Sequence, residues 1–131
     1  MTLEVVRRWF EKLPELERDL PLVILDGVAW TPRAILAEVS RGTPTGERLQ
    51  ALVEAGRLGT SYAEEMALVK YRLREILSRY PPGKPIIAVL SIPTRAMTPE
   101  DLLREVEQET QLGKRLIRAE LEHMRYLLRL R

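Results

Sequence analysis

The only histidine of the chain follows a glutamate by three residues, and this pair is the clearest candidate for metal chemistry in the sequence. Glu120 and His123 lie one turn apart on a predicted helix, and Glu-x-x-His is the spacing of carboxylate-bridged metal sites in helical bundles. Such sites need a second pair, which only a symmetric dimer of this chain could supply. We therefore predict no metal ligand and no cofactor, and we interpret His123 as a solvated helix residue.

Other catalytic constellations are missing from the sequence. The chain has no cysteine, which excludes disulfides, thiolate zinc sites and a thiol nucleophile. It has no glycine-rich phosphate loop and no Gly-x-Ser-x-Gly elbow, and the turn at residues 82–85 lacks the hydroxyl residue that follows the lysine of a phosphate loop. No pair of glutamates is singled out by its neighbours. We predict that the protein is not an enzyme.

Basic and aromatic side chains are interleaved on the helix predicted for residues 61–80, as they are on many nucleic-acid surfaces. The candidate phosphate contacts are Lys70, Arg72, Arg74 and Arg79. The tyrosines Tyr62 and Tyr80, however, also fit an apolar seam of coiled-coil period, and packing explains them better. The other members of this seam are Met66, Val69, Leu73 and Ile76. A small basic nucleic-acid-associated protein is therefore the alternative function.

The net charge of +2 is divided unevenly along the chain. Residues 1–66 hold 8 basic and 11 acidic groups, whereas residues 67–131 hold 13 basic and 8 acidic groups. This asymmetry can orient the protein on nucleic acid or on an acidic partner, or bring the basic face of one copy to the acidic face of another. The charges alone leave these partners open.

A block of nineteen residues is repeated without a gap at 31–49 and 98–116, with nine identical positions. The identities include threonine, proline and glycine, which are often chosen for backbone geometry. Both copies begin with Thr-Pro, an N-cap followed by the favoured first residue of a helix. The block predicts an internal duplication, with residues 1–58 and 59–131 as two diverged repeats within a single domain.

The repeated positions predict a structural joint in each copy. The joint candidates are Thr43, Gly46 and Arg48 in the first copy, and Thr110, Gly113 and Arg115 in the second. A glycine costs a helix interior about 1 kcal/mol relative to alanine, so we expect each glycine to permit the close approach of another backbone. The two glycines could meet across a pseudo-twofold axis, where the helices of the two repeats would cross. We expect each threonine to cap or kink the helix at the same joint.

A matched glutamate accompanies each matched arginine. We predict a structural bridge between Arg48 and Glu38, and another between Arg115 and Glu105. Arginine also suits carboxylate and phosphate ligands, so binding of an anionic or acidic partner is the alternative.

Capping, turn and breaker signals place these residues on a helical framework. We predict helices over 3–13, 32–42, 44–55 and 62–80, a hairpin over 22–30, a strand within 85–93 and a last helix over 98–130. The hairpin turns at Asp26-Gly27, a dipeptide typical of type I′ turns. Pro44 forces a new helix to start in the first copy, whereas its counterpart Gln111 allows the last helix to run unbroken.

The predicted fold class is α+β and predominantly helical. It consists of a duplicated helix–β–helix–helix unit with a small β element and two long helices. A length of 131 residues fits one domain, 1–131, with a core of its own.

The end of the last helix has more apolar side chains than a small body needs to bury. These residues are Leu121, Met124, Leu127, Leu128 and Leu130. We expect this end to overhang and to be covered by a protein partner or a second copy, and Trp30 at the hairpin edge is a further interface candidate. We therefore predict a non-catalytic assembly, adaptor or structural subunit that acts through helix-mediated protein contacts.

The first twelve residues mix charge into every turn, so we expect no signal peptide. The longest apolar runs, at 20–25 and 86–90, are too short to cross a bilayer and suit buried strands. With no cysteine to indicate an oxidising compartment, the predicted location is the cytoplasm.

Overall fold

The computed structural model of the protein describes residues 3–83, 86–87 and 96–131, which are predominantly helical. The helices are α1 (Leu3–Lys12), α2 (Pro32–Arg41), α3 (Pro44–Ala55), α4 (Tyr62–Ser78), α5 (Pro99–Glu107) and α6 (Gln111–Leu128), with a 3₁₀ helix at Glu15–Asp19. The strands are β1 (Val23–Leu25), β2 (Val28–Trp30), β3 (Ile86–Ile87) and β4 (Ala96–Met97). The predicted helix-dominated class with a small β element is confirmed.

Three helices begin with Thr-Pro, as predicted. The hydroxyls of Thr31, Thr43 and Thr98 accept hydrogen bonds from the backbone N–H three residues later, at 3.1, 2.9 and 3.1 Å. The proline that follows each cap has a φ suited to a helix and needs no N–H at that position. At Thr98 the Asp101 carboxylate accepts from the Thr98 N–H at 3.1 Å, which completes a capping box.

The predicted hairpin at residues 22–30 is confirmed. Strand β1 pairs antiparallel with β2, and Val23 lies opposite Trp30. Asp26 and Gly27 form the turn with φ angles of 52° and 77°, the left-handed conformation that a type I′ turn requires. Val28 on the outer strand is 55% exposed.

A second hairpin precedes α5. Strands β3 and β4 pair antiparallel, with Ile86 opposite Met97 and Ile87 opposite Ala96. The strand predicted within 85–93 is therefore present at Ile86–Ile87, and its remaining residues lie outside the described part of the chain.

Helix α4 begins near its predicted cap, and its buried face includes the middle of the predicted seam but not its two ends. The Ser61 hydroxyl accepts from the Glu64 N–H at 3.2 Å. The predicted seam is wrong at both ends, because Tyr62 is 72% exposed and Tyr80 is 44% exposed and follows the end of the helix. The buried residues of the helix are Leu68, Val69, Arg72, Leu73 and Leu77. Tyrosine tolerates water at its phenol, so apolar spacing alone did not locate the ends of the buried face.

The predicted unbroken helix over 98–130 is wrong, because the chain turns between α5 and α6. Glu109 adopts a φ of 48°, in the left-handed region that side chains other than glycine rarely occupy. The Thr110 hydroxyl then accepts from the Gly113 N–H at 3.1 Å and caps the new helix. Proline is therefore not required for the break, since a left-handed residue and a threonine cap suffice.

The described chain divides into two compact units. Unit 1 comprises residues up to Leu68 together with Glu122–Arg131, and unit 2 comprises Val69–Leu121. The predicted single domain of two repeats stays a prediction.

Unit 1 is built around α1, α2, α3 and the first hairpin. Helix α2 packs against α1, α3 and the 3₁₀ helix, and α3 also contacts β1. Trp9 is fully buried, and its Nε1 donates to the Leu127 carbonyl at 2.9 Å. The C-terminal residues of the chain therefore belong to the core that the N-terminal helix forms.

Unit 2 has a buried apolar cluster of its own. Leu77, Met97 and Leu102 form a buried cluster. The partly buried side chains packed against it are Leu103, Leu112 and Leu116. No helix in the described ranges is both long enough and apolar enough to span a membrane.

Candidate functional site

The first repeat joint is a close crossing of α2 and α3. The Thr43 hydroxyl accepts from the Gly46 N–H at 2.9 Å and donates to the Glu38 carboxylate at 2.7 Å. A Cβ added at Gly46 would stand 2.5 Å from the Glu38 carbonyl oxygen and 3.1 Å from the Val39 Cα. Any side chain at this position would force the two helices apart. The predicted close approach is therefore present, but the backbone that Gly46 meets is that of the preceding helix and not that of Gly113.

The second joint has the same arrangement between α5 and α6. The Thr110 hydroxyl accepts from the Gly113 N–H and donates to the Glu105 carboxylate. A Cβ added at Gly113 would stand 3.0 Å from the Val106 Cα and closer still to the Glu105 carbonyl. Both joints are therefore structural, because their polar groups bond to one another.

The predicted bridge between Arg48 and Glu38 is wrong. Arg48 instead donates to both carboxylate oxygens of Asp26 in the hairpin turn, at 2.7 and 3.1 Å. These hydrogen bonds hold the pKa of the Asp26 carboxyl below its usual range. Glu38 accepts from Arg41 at 2.8 Å in addition to Thr43. The hairpin turn places Asp26 beside Arg48 of α3. The spacing of these residues along the sequence does not reveal that they are neighbours.

The predicted bridge between Arg115 and Glu105 is wrong as well. Arg115 has no carboxylate partner among the residues that the structure describes, and its side chain is exposed on α6. Lys114 and Arg118, on the same helix, are also exposed and make no ion pair within the described ranges. Three cations on one helix are thus free to meet an external anion.

The cations predicted for nucleic-acid contact on α4 are mostly engaged within unit 2. The ion pairs are Lys70 with Glu109 at 3.2 Å, Arg72 with Glu120 at 2.5 Å and Arg74 with Glu107 at 3.4 Å. Arg72 is fully buried, so its guanidinium is not presented to an external phosphate. Arg79 is exposed near the end of the helix.

The predicted overhang of the last helix is wrong. Met124, Leu127 and Leu128 are buried in unit 1. Leu121 and Leu130 are half-buried. The backbone around them is also anchored, because the Arg131 side chain donates to the Val53 and Glu54 carbonyls and the Lys12 ammonium donates to the Arg131 carbonyl. The predicted interface residues are therefore not offered to a partner as an exposed apolar end.

Trp30 is half-buried at the end of β2. Its Nε1 is buried and has no hydrogen-bond partner in the described part of the chain. Its backbone carbonyl accepts from the Leu22 N–H at 2.9 Å, which extends the hairpin by one pair.

The Glu-x-x-His pair is divided between two different contacts. Glu120 accepts from Arg72 in unit 2, and the His123 Nε2 lies 3.0 Å from the Glu17 Oε1 in unit 1. Among residues 3–83, 86–87 and 96–131, no group of three or more His, Asp or Glu side chains is placed to hold a metal ion.

A shallow groove of about 280 Å³ lies in unit 2, where α4 ends and α5 begins. Leu77, Pro82, Pro99 and Leu103 supply its apolar lining. Glu100 lies at its edge, where hydrogen bonds from its own backbone N–H and from the Gly83 N–H lower the pKa of its carboxyl. The lining contains no histidine and no second carboxylate, so these residues form no acid–base pair.

Six large apolar or aromatic side chains are exposed in the described part of the chain, and the interface prediction named none of them. They are Leu16, Val28, Tyr62, Tyr71, Tyr80 and Tyr126. Leu16 is 77% exposed between two glutamates of the 3₁₀ helix, and Tyr126 is 53% exposed on the side of α6 away from its buried leucines. For Tyr126 a signal was present, because it falls outside the apolar stripe of its helix.

Comparison of the chain with protein families, with curated proteins and with solved structures found no match.

Proposed function

We propose that the protein is a non-catalytic assembly or structural subunit that binds a second copy of itself through exposed helix residues of unit 1. The observation that supports this role is the exposure of Leu16 and Tyr126 on either side of one contact. Leu16 precedes Glu17, and Tyr126 is one helical turn after His123, the residue that Glu17 contacts at 3.0 Å. We name Leu16 and Tyr126 the unit 1 patch.

The chemistry of the unit 1 patch suits a protein partner. Tyrosine offers a large apolar ring with a polar tip and is enriched in interface cores, whereas a single exposed leucine is common on any surface. The tyrosine can serve as the central anchor of such an interface. The leucine and the polar contact between His123 and Glu17 would then lie beside it. This assignment moves the predicted interface from the buried leucines of α6 to its exposed side.

Light scattering after size-exclusion chromatography tests this function. The wild-type protein is expected to form dimers or larger species as its concentration rises. The double variant Leu16→Ser and Tyr126→Ser is expected to remain monomeric with an unchanged melting temperature, because both side chains are exposed in the monomer. The matched control is Tyr71→Ser with Tyr80→Ser, which removes two exposed tyrosines of unit 2 and leaves association intact. A wild-type protein that stays strictly monomeric at high concentration contradicts the proposal.

We also propose that the chain is internally duplicated, with an offset of 67 residues from β2 and β4 onwards, whereas the first strands of the two hairpins begin 63 residues apart. At this offset Thr43 and Gly46 correspond to Thr110 and Gly113, whose hydrogen bonds and close backbone contacts match. The left-handed residues Gly42 and Glu109 also correspond.

The correspondence extends to the elements before each joint. A hairpin precedes the Thr-Pro helix in both halves, and Trp30 and Met97 occupy equivalent paired positions in β2 and β4. At the same offset, the buried Val6 and Phe10 of α1 correspond to the buried Leu73 and Leu77 of α4. The repeats proposed for residues 1–58 and 59–131 therefore share their order of elements as well as local geometry.

A cytoplasmic location completes the proposal. Its support is the complete lack of cysteine, since proteins of oxidising compartments commonly rely on disulfides.

A further inference from the structure

Of the cations that the structure describes in unit 2, four are paired with carboxylates, and three of the four unpaired ones lie on one helix. The fourth, Arg79, is exposed just after the end of α4. Lys70, Arg72 and Arg74 on α4 are each paired with a carboxylate. Lys114 and Arg115 of α6 are exposed and have no such partner in the described ranges, and neither has Arg118. We name these three residues the α6 cationic face.

Helix geometry brings the three side chains together. Lys114 and Arg118 are four residues apart, about 6 Å along the helix axis, and Arg115 and Arg118 are three apart. Residues at these separations are neighbours on a helix surface, so their charges act on the same ligand. Gln111, one turn earlier, is exposed and adds an uncharged hydrogen-bonding group to this surface.

The corresponding surface of the first half is not cationic. At the offset of 67 residues, Glu47 corresponds to Lys114, Arg48 to Arg115 and Ala51 to Arg118. Arg48 is moreover held by both carboxylate oxygens of Asp26. One half therefore carries a glutamate and a neutralised arginine where the other carries three unpaired cations. Fold stability does not require cations there, because the first half forms the same joint without them.

The α6 cationic face contains no apolar anchor, and this distinguishes between its anionic partners. Protein interfaces are enriched in arginine, but they are centred on aromatic or aliphatic anchors. Among the residues of unit 2 that the structure describes, the exposed large apolar ones are Tyr71 and Tyr80, and both belong to the α4 region. Phosphate contacts need no apolar anchor, because counterion release supplies the free energy of binding.

We propose that Lys114, Arg115 and Arg118 bind the phosphate backbone of a double-stranded nucleic acid without reading its sequence. A duplex presents its phosphates outward and keeps its bases stacked, whereas proteins that hold single strands usually stack bases on aromatic side chains. The face has no aromatic residue to serve as that platform, which favours the duplex. The forked guanidinium groups suit phosphate oxygens, and the ammonium acts as a point charge.

The test is fluorescence anisotropy with a labelled, mixed-sequence DNA duplex of about 20 base pairs. Three phosphate contacts predict a slope of about −2.7 for log K against log salt, so binding is expected to weaken about 40-fold between about 50 and about 200 mM salt. The triple variant Lys114→Gln, Arg115→Gln and Arg118→Gln is expected to lose binding at the lower salt concentration. Each single variant is expected to reduce the slope by about 0.9.

The matched control removes the same charge from unit 1. Arg7, Arg8 and Arg129 are exposed and make no ion pair in the described chain, so their triple glutamine variant has the same net charge as the test variant. The control is expected to retain most of the binding. Circular dichroism of both variants verifies that each is folded. If the triple test variant is not folded, the salt dependence of duplex binding by the single variants tests the proposal instead.

Three results would overturn the proposal. The first is undetectable binding of the duplex by the wild-type protein at low salt. The second is an equal loss of duplex affinity in the test and control variants. The third is displacement of the duplex by polyglutamate of equal charge as effectively as by unlabelled duplex. The last result would assign the face to an acidic protein instead. The unit 1 patch is not altered in these variants, so failure here leaves the self-association measurement unaffected.

Discussion

At the scale of single residues, Arg72 is the most consequential side chain of unit 2. It is fully buried, and its Nε donates to the Glu120 Oε1 at 2.5 Å. Burying a charge is costly, and its partner compensates that cost only while both members are present. An arginine that resembled a phosphate ligand in the sequence is therefore part of the folded interior.

The variant Glu120→Gln is expected to lower the free energy of unfolding by about 3–5 kcal/mol, because it removes the negative charge that the fully buried Arg72 guanidinium contacts through Nε. Urea denaturation measures this loss. The double variant Arg72→Met with Glu120→Leu is expected to recover most of it. Lys70→Ala is the control, since it breaks a more exposed pair worth about 0–1 kcal/mol. A loss in Glu120→Gln no larger than in Lys70→Ala would contradict the role of Arg72.

Asp26 provides a residue-scale prediction for pH. Its pKa is lowered by the hydrogen bonds from Arg48, so the ionised carboxylate stabilises the fold above its ordinary pKa. This contribution is lost as the pH falls through the lowered pKa of the folded state. Carbon NMR titration of the Asp26 carboxyl is expected to show the lowered pKa, and Arg48→Gln is expected to raise it towards its ordinary value. An unchanged pKa in Arg48→Gln would exclude Arg48 as the cause.

At the scale of elements, the two helix joints show how a short motif determines a packing angle. A threonine caps the second helix, and a glycine three residues later lets it press against the backbone of the first. In a free helix alanine would be favoured over glycine by about 1 kcal/mol, so the glycines are retained for the crossing rather than for helix propensity.

Gly46→Ala and Gly113→Ala are each expected to destabilise the protein, because the added methyl group meets backbone that cannot rotate away. Overpacking of this kind costs about 1–3 kcal/mol, enough to reverse the gain in helix propensity. Thermal and urea denaturation measure the effect, with the exposed Glu47→Ala as the control. Either glycine variant with wild-type stability or better would show that the crossing has room for a side chain.

The same elements show the reach of local sequence signals. The Thr-Pro helix starts and the Asp26-Gly27 turn were predictable because caps and tight turns are decided by adjacent residues. The break between α5 and α6 was not, because Glu109 occupies a left-handed conformation that glycine usually marks. Gly42, at the end of α2, carried the signal that Glu109 lacks.

At the scale of the whole molecule, the end of the chain completes the core around its beginning. Trp9 donates to the Leu127 carbonyl, and Met124, Leu127 and Leu128 are buried in unit 1. The prediction that these side chains overhang and are covered by another protein is wrong, because a helical stripe does not specify what covers it. The partner invoked for this surface is the N-terminal part of the same chain.

Leu128→Ala is therefore expected to lower the free energy of unfolding by about 2–5 kcal/mol through the cavity that it leaves. The neighbouring Arg129→Ala is the control, and as an exposed substitution it is expected to change stability by no more than about 0.5 kcal/mol. Urea denaturation followed by Trp9 fluorescence, in a Trp30→Phe background, measures both. Equal stability of the two variants would contradict the docking of the C-terminal residues in unit 1.

The sequence by itself determined the helical class, the three Thr-Pro helix starts, the first hairpin and the glycines of the two joints. These features depend on backbone preferences and hydrogen bonds that reach only a few residues along the chain. The partners of charged and apolar side chains were decided by the tertiary structure alone. Asp26 reaches Arg48, Glu120 reaches Arg72 and Leu127 reaches Trp9 across 22, 48 and 118 residues. The same reason separates the cations of α4, which are paired with carboxylates distant in sequence, from the unpaired cations of the α6 cationic face. Whether a cation is paired depends on distance in space and not on residue type.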